Sequence, residues 1–487
     1  MGLNNIRVGF DSGRRYLYRA NQVIAFGDEA RAFVRDRFRG EERGLGESAS
    51  AVVAESGLPP TFLVTDLAED APAVVGEARA RGHRVQPNHV FFAHGCCNCD
   101  PCCRGEHGDW PEDGLAGNPL RFNAAGGGSL KANPLRFNPL RFNPLRFNLL
   151  IGDPLRFNSE TMTTTAVPTA APEPLPPADD VEGVRVWVLD TGLGTHPDAV
   201  DPVAIWEGGD VLGSEPGAEV RTEWLRSRVN VKGHETDHPD LFPGGASPAD
   251  GYIDPAAGHG SFIAGIVEQL RPGCELWVSR VMAESGDVSE ADVLHEVARL
   301  IGENPDGLER TILNLSFGGE LSGTCSAIEE AVKMALQRGI VVVASAGNDA
   351  SCEPSYPAAF DGVISVGALD DGLPAEFTNY GSWVTACAEG VDLLSTFLLT
   401  DGDFPLTFVF PPGVAFDPDD FEASGGWARW SGTSFAAPVV AATIAQELAK
   451  DPALTGQQAA TAILSRNPQL PCLGVPVIPD DPNDAVS

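Results

Sequence analysis

Apolar and polar positions follow three different patterns along the chain. In residues 1–95, YLYRANQVIAF and TFLVTDL have the β-branched and aromatic content of strands, whereas DEARAFVRDRF and APAVVGEARARG repeat apolar side chains at helical spacing. RVQPNHVFFAH closes the stretch as another strand, so the predicted order is β, α, β, α, β, a small α+β unit. From 181 onward, continuous apolar runs alternate with helical patterns. VRVWVLD, CELWVSRVM, TILNLSFGG, IVVVASAGN and GVISVGAL read as buried strands; HGSFIAGIVEQL, SEADVLHEVARLIGE, CSAIEEAVKMALQRG and FAAPVVAATIAQELAKD read as helices. Ser289 with Asp292 predicts a capping box, and Gly339 a helix stop. This rhythm predicts an α/β fold, a mostly parallel, doubly wound sheet with helices on both faces. Ligands in such sheets gather beyond the carboxyl ends of the strands.

Residues 96–180 fit neither pattern. They open with CCNCDPCC, pass through GGG, carry PLRFN at Pro119, Pro134, Pro139, Pro144 and Pro154, and end in TMTTTAVPTAAPEPLPPADD. Recurrent proline with few aliphatics cannot support a core, which predicts a largely disordered linker. Three organisational units follow: 1–95, 96–180 and 181–487.

Composition narrows the function classes. The 487 residues are 43% hydrophobic, and a domain of about 300 residues buries roughly three quarters of its unfolded surface, so a large core is available. A formal charge of −35 repels phosphate backbones and anionic lipid, which argues against nucleic acid as a partner. No stretch has the apolar length of a membrane span. The opening MGLNNIRVGFDSGRRYLYRA lacks the succession of an export signal, so the expected compartment is the cytoplasm.

Four positions carry candidate chemistry. Ser434, in SGTSFAAPVV, stands at the start of a buried helix, where it reads as an N-cap or as a nucleophile beside the positive end of the helix dipole. Pro438 would then occupy the first turn, where a missing N–H costs nothing. Asp190 ends a buried strand, suited either to a turn with Thr191 or to holding the Nδ1–H of a histidine. His259, in GHGSFIAG, has glycines on both sides that permit close approach, whereas His196, His234 and His238 lie in polar loops and read as solvated. Asn348, in SAGND, ends another strand and offers an amide to a developing oxyanion, with a plain turn asparagine as the other reading.

Taken in order, VLDTG, GHGSFIAG, SAGN and SGTSFAAP resemble the signature segments of the subtilisin-like serine proteases over roughly 181–470. The resemblance implies a subtilisin-type sheet and a serine endopeptidase, a hydrolase acting on proteins or peptides. Asp190 would be the orienting acid, His259 the general base, Ser434 the nucleophile and Asn348 the oxyanion donor. It further implies that Ser316, Phe317, Gly318 and Gly319 form the edge to which a substrate strand adds, and that Ser345, Ala346 and Gly347 wall the first specificity pocket. Ser261, Phe262 and Phe435 depart from the commonest residues at their positions without removing a catalytic group. Residues 1–95 resemble a subtilase propeptide, a small ferredoxin-like α+β prodomain that would make the chain a self-processed zymogen with its own propeptide as partner in cis. The alternatives are a transpeptidase that processes a precursor peptide, or an inactive scaffold binding through its repeats.

No cofactor is required by this chemistry. Zinc at Cys96, Cys97, Cys99, Cys102 and Cys103 is one reading of the cysteine cluster, beside disulfides or free thiols, since only Cys99 and Cys102 have a C-x-x-C spacing. Acidic TDHPDLFPGGASPADGYID is a candidate for calcium without a spaced ligand pattern, so no metal ligand is assigned. Cys325 and Cys352 are candidates for a bridge in an oxidising compartment. Cys274, Cys387 and Cys472 are expected to be buried small hydrophobes. The PLRFN copies read as processing sites, as partner-binding motifs, or as a spacer expanded by slippage.

Overall fold

The computed structural model describes residues 5–11, 14–93, 183–194, 223–226, 228–234, 256–283, 286–321, 326–398, 423–424 and 426–480. The cysteine cluster, the PLRFN tract, the acidic stretch 236–254, Cys325, His196 and His238 lie outside them.

The main sheet follows from the apolar runs. Its order is Val475–Pro476, Ala386–Glu389, Ile364–Asp370, Val341–Ser345, Thr311–Leu315, Arg185–Asp190, Glu275–Arg280 and Val231–Gly233, all parallel, with Leu373–Pro374 added antiparallel. Because strand side chains alternate between faces, an uninterrupted apolar run means that both faces are covered. Val186 and Val188 face one core with Val341 and Val343, while Trp187 and Leu189 face the other with Val342 and Ala344. Helices His259–Leu270 and Thr433–Lys450 cover the first face; Glu290–Glu303 and Ala327–Gln337 cover the second. Each of these four matches a helix expected from the spacing, and Gly339, at φ +81°, follows the last turn of Ala327–Gln337 as expected. Ser289 caps its helix by accepting from Asp292 N, but its hydroxyl also donates to the Asp292 carboxylate at 2.6 Å. The box is therefore closed side chain to side chain.

The N-terminal unit is an antiparallel sheet ordered Glu41–Gly44, Thr61–Thr65, Arg14–Phe26, Val85–Phe92, with Ile6–Asp11 on Arg14–Phe26. Helices Asp28–Phe38 and Ala71–Ala80 back one face. The five-element reading omits the strands Ile6–Asp11 and Glu41–Gly44 and the helix Glu47–Glu55. That helix packs on Glu290–Glu303, where Ser48 Oγ stands 2.2 Å from the place a Cβ on Gly302 would take. The second core runs across the junction, joining Ile24, Val52 and Phe91 to Val293, Val297 and Phe317. Among the described residues, no helix is long and apolar enough to cross a membrane.

One buried carboxyl on the first face sets a pH dependence. Glu268, near the end of helix His259–Leu270, is 0% exposed, and burial pushes its pKa from 4.5 up to about 7, although the hydrogen bond from Asn230 and the charge of Arg228 pull the other way. Between those two values the folded chain holds a proton that the unfolded chain has lost, so stability falls as pH rises through this window. Glu268→Gln is expected to gain on the order of 1–3 kcal/mol at pH 8 and little at pH 4. Urea unfolding at both pH values measures it; equal gains at the two would contradict the assignment.

Candidate active site

Asp190 is the last residue of a buried strand, with both faces of that strand covered and the side chain fully enclosed. Its Oδ1 accepts from Thr191 N at 2.8 Å, the turn contact read from the sequence. The same carboxylate also meets His259 Nδ1, at 2.8 Å through Oδ1 and 2.9 Å through Oδ2. The two readings of Asp190 therefore coexist. Gly260 makes the approach possible: a Cβ there would stand 2.3 Å from Gly192 O, and its N–H donates to Thr191 Oγ1 at 2.9 Å. Ser261 accepts from Gly194 N, tying the helix start to the strand end a second time. The His259 ring is then boxed by Phe435, 5.1 Å between centroids, and by the edge of Trp430 at 5.5 Å. Held on Nδ1 by a carboxylate, the imidazole carries its proton there and keeps Nε2 as an acceptor.

Ser434 is not an N-cap. The helix runs Thr433–Lys450 with Gly432 as its cap, which places Ser434 in the first turn and Pro438 beyond it, inside the helix. A proline at this position removes the N–H that would bond the carbonyl of the residue four earlier. That carbonyl belongs to Ser434, and Ser316 Oγ donates to it at 2.8 Å, replacing the lost bond. The Ser434 hydroxyl in turn donates to Ser316 O at 3.0 Å. Among the described residues no hydrogen bond joins Ser434 to His259, although the Phe435 ring that follows Ser434 touches the imidazole. Such bonds are often long in a resting site and form when the complex does.

Asn348 is oriented by Thr433. Its Oδ1 accepts from Thr433 N at 2.9 Å and from Thr433 Oγ1 at 2.8 Å, which puts the amide nitrogen on the opposite side. That nitrogen stands 3.3 Å from where a Cβ on Gly432 would be, so the helix start and the amide converge. Gly347, at φ +113°, donates to the Thr433 hydroxyl at 3.1 Å. Ala346 turns its side chain into a small cluster with Leu369, Val384 and Leu473, while Ser345 completes the buried strand.

The Ser316–Gly319 edge is occupied on both sides. Phe92 exchanges two hydrogen bonds with Gly318, at 3.0 and 2.9 Å, as an antiparallel strand partner. Tyr356 pairs likewise with Gly319. The close approach falls at Gly319, where a Cβ would meet Phe91 Cδ1 at 3.1 Å; Phe317 is fully buried with its ring 6.5 Å from that of Phe91.

Two expectations need correction. His234 is not solvated: its Nδ1 accepts from Arg280 N, its ring meets the edge of Trp277, and burial lowers its pKa. Cys472 is exposed, held at φ +62° in a turn, whereas Cys274 and Cys387 are buried as expected. No group of three or more His, Cys, Asp or Glu able to hold a metal occurs among the described residues. Sequence reasoning passed over Thr433 and Glu290. The first was visible as the middle letter of GTS; the second, a helix-start glutamate, carries no local sign of its partners.

A family model described as the subtilase family matches residues 182–474. Subtilisin Savinase from Lederbergia lenta is 28% identical over 286 residues, covering 57% of this chain and 80% of that one. An alkaline protease from Alkalihalobacillus alcalophilus is also 28% identical over 286 residues, but the chain spans only 57% of its length. Subtilisin J from Geobacillus stearothermophilus is 30% identical over 252 residues, covering 48% of this chain and 58% of that one. A solved structure described as a cold adapted subtilisin-like serine proteinase aligns with a TM-score of 0.40 and 22% identity, over 63% of this chain and 94% of that one.

Proposed function

The chain belongs to the subtilase family, and from that premise we propose that it is a serine endopeptidase, made as a zymogen, whose triad is Asp190, His259 and Ser434. The observation that carries this reading is the double contact of His259 Nδ1 with the buried Asp190 carboxylate, made where the serine helix arrives at the same rim of the sheet. Proteins or peptides are the substrates. An extended segment adds as a strand to the Ser316–Gly319 edge, in the manner of Phe92. Rotation about the Ser434 side chain brings its Oγ from Ser316 O to His259 Nε2. As Oγ attacks the scissile carbonyl, Nε2 takes its proton and Asp190 stabilises the imidazolium that forms. Asn348 Nδ2 and the Ser434 N–H, at the positive end of the helix, hold the oxyanion. His259 then returns the proton to the leaving amine, and water releases the acyl group.

The N-terminal unit is the propeptide in cis. Its strand Val85–Phe92 pairs with Asp287–Ser289 and continues to Gly318, filling the edge that a substrate would use. A buried ion pair of Arg19 with Asp287 and a buried contact of His89 Nδ1 with the Glu290 carboxylate fasten it. Glu290 also accepts from Gln86 Nε2, and through its other oxygen from Ala327 N at 2.8 Å, so the carboxylate joins the strand to the start of a catalytic-domain helix. The cytoplasm remains the proposed compartment.

A fluorophosphonate probe tests the reading. It is expected to label the processed chain at Ser434 and to leave Ser434→Ala unlabelled; a processed chain that resists the probe would contradict it. Asn348→Ala is expected to lower kcat by about 10²–10³ with little change in KM, because the amide acts on charge that exists only in the transition state. Steady-state hydrolysis of a chromogenic peptide separates the two constants; a change confined to KM would count against the oxyanion role.

A further inference from the structure

Glu290 faces the N-terminal strand with one carboxylate oxygen and the catalytic unit with the other. Oε2 accepts from Ala327 N at 2.8 Å and from Ile328 N at 3.3 Å, two of the amides that the start of helix Ala327–Gln337 leaves without partners inside the helix. Oε1 is turned to the strand: it accepts from Gln86 Nε2 at 2.6 Å and from His89 N at 3.1 Å, and it stands 2.5 Å from His89 Nδ1. The side chains of Glu290 and His89 are both fully enclosed. Phe92 fixes the register of this meeting, because it exchanges its two backbone hydrogen bonds with Gly318 three residues further along.

A substrate that takes the place of the strand inherits that arrangement. The helix amides remain on Oε2 and hold the carboxylate where it is, while Gln86 and His89 leave with the N-terminal unit. Arg19 leaves too, taking its charge from Asp287, which lies beside Phe92 on the neighbouring strand. Residues 1–95 hold arginine and acidic residues in equal number and no lysine, so the whole formal charge of −35 lies on 96–487. An incoming chain returns one backbone N–H to Oε1 whatever its sequence; its side chain at the His89 position decides the rest. Leucine there covers the oxygen without bonding it, and glutamate meets a like charge. A basic side chain supplies both a donor and the opposite charge.

Resting on the protease reading above, we propose that Glu290 forms a subsite for a basic side chain, three residues ahead of the substrate residue that pairs with Gly318. The enzyme then selects protein segments with lysine, arginine or histidine at that position. Oε1 is the reading atom, and Oε2 keeps it in place.

Internally quenched peptides carrying residues 85–93 followed by four alanines, given to the processed chain, test this. With His89→Lys, His89→Leu or His89→Glu in the peptide, kcat/KM is expected to be at least tenfold higher for lysine than for leucine, and lowest for glutamate. In the enzyme variant Glu290→Gln, whose amide oxygen can still accept from the two helix amides, the ratio of lysine to leucine is expected to fall below twofold. A substitution that only loosened the helix start would slow all three peptides together; an unchanged ratio in Glu290→Gln therefore overturns the subsite. So does a wild-type ratio near one, a measurement that decides the matter alone should the variant not fold. The fluorophosphonate separates this from the reading beneath it. Labelling of Ser434 without a preference among the peptides removes the subsite and leaves the protease, whereas a processed chain that neither labels nor hydrolyses removes both.

Discussion

Ser434→Ala and His259→Ala are each expected to lower kcat/KM by about 10⁶, and the double variant to lose no more than either alone. The serine attacks only if something accepts its proton, and the imidazole matters only if the serine is there to attack; each loss therefore contains the other. Both side chains are nearly enclosed, at 3% and 2% exposure, so bulk water replaces neither the attacking oxygen nor the acceptor of its proton. Neither variant will process itself. The assay must follow cleavage in trans by a trace of tagged wild-type enzyme that is then withdrawn. Losses that multiplied in the double variant would mean that the two residues do not act as one unit.

The second large effect belongs to Asp190→Asn, expected to lower kcat by about 10⁴ with the fold intact. An asparagine can keep the Thr191 N–H on its Oδ1, so the turn survives. Its other terminus would then present N–H to His259 Nδ1, where a carboxylate oxygen now stands at 2.9 Å. The ring must answer with an unprotonated Nδ1, which moves its proton to Nε2 and removes the acceptor that Ser434 requires. A variant with an unchanged unfolding midpoint and less than a tenfold loss would show that the carboxylate does not set the tautomer. Circular dichroism and peptide hydrolysis measure the two halves of the prediction.

Much of this was legible in the sequence because the evidence was local. Helix His259–Leu270 coincides with HGSFIAGIVEQL, and the continuous apolar runs marked the sheet with both faces covered. What escaped depended on distant partners. In Val85–Phe92, Gln86 and Asn88 look like the solvent side of an edge strand, yet every residue of the strand is buried. Glu290 takes the Gln86 amide, and Gln22 accepts from Asn88 at 2.8 Å, groups that no local pattern announces. The helix Glu47–Glu55 was missed for a similar reason: ESASAVVAE has a short apolar face that becomes stable on Glu290–Glu303. Ser434 was read as a cap because proline is so strongly associated with first turns. The hydroxyl of Ser316, more than a hundred residues earlier, is what permits Pro438 to stand deeper in the helix.

That exchange of hydroxyls and carbonyls also acts as a latch. With Phe92 paired to Gly318, the Ser316 carbonyl holds the Ser434 hydroxyl in a hydrogen bond. A peptide that continues the Gly318 pairing brings an amide proton to that same carbonyl and competes for its lone pairs. Under the proposed mechanism, the carbonyl would hold the alcohol in reserve until a chain reaching past Gly318 lies alongside it, a restraint that persists while Phe92 occupies its place on the edge.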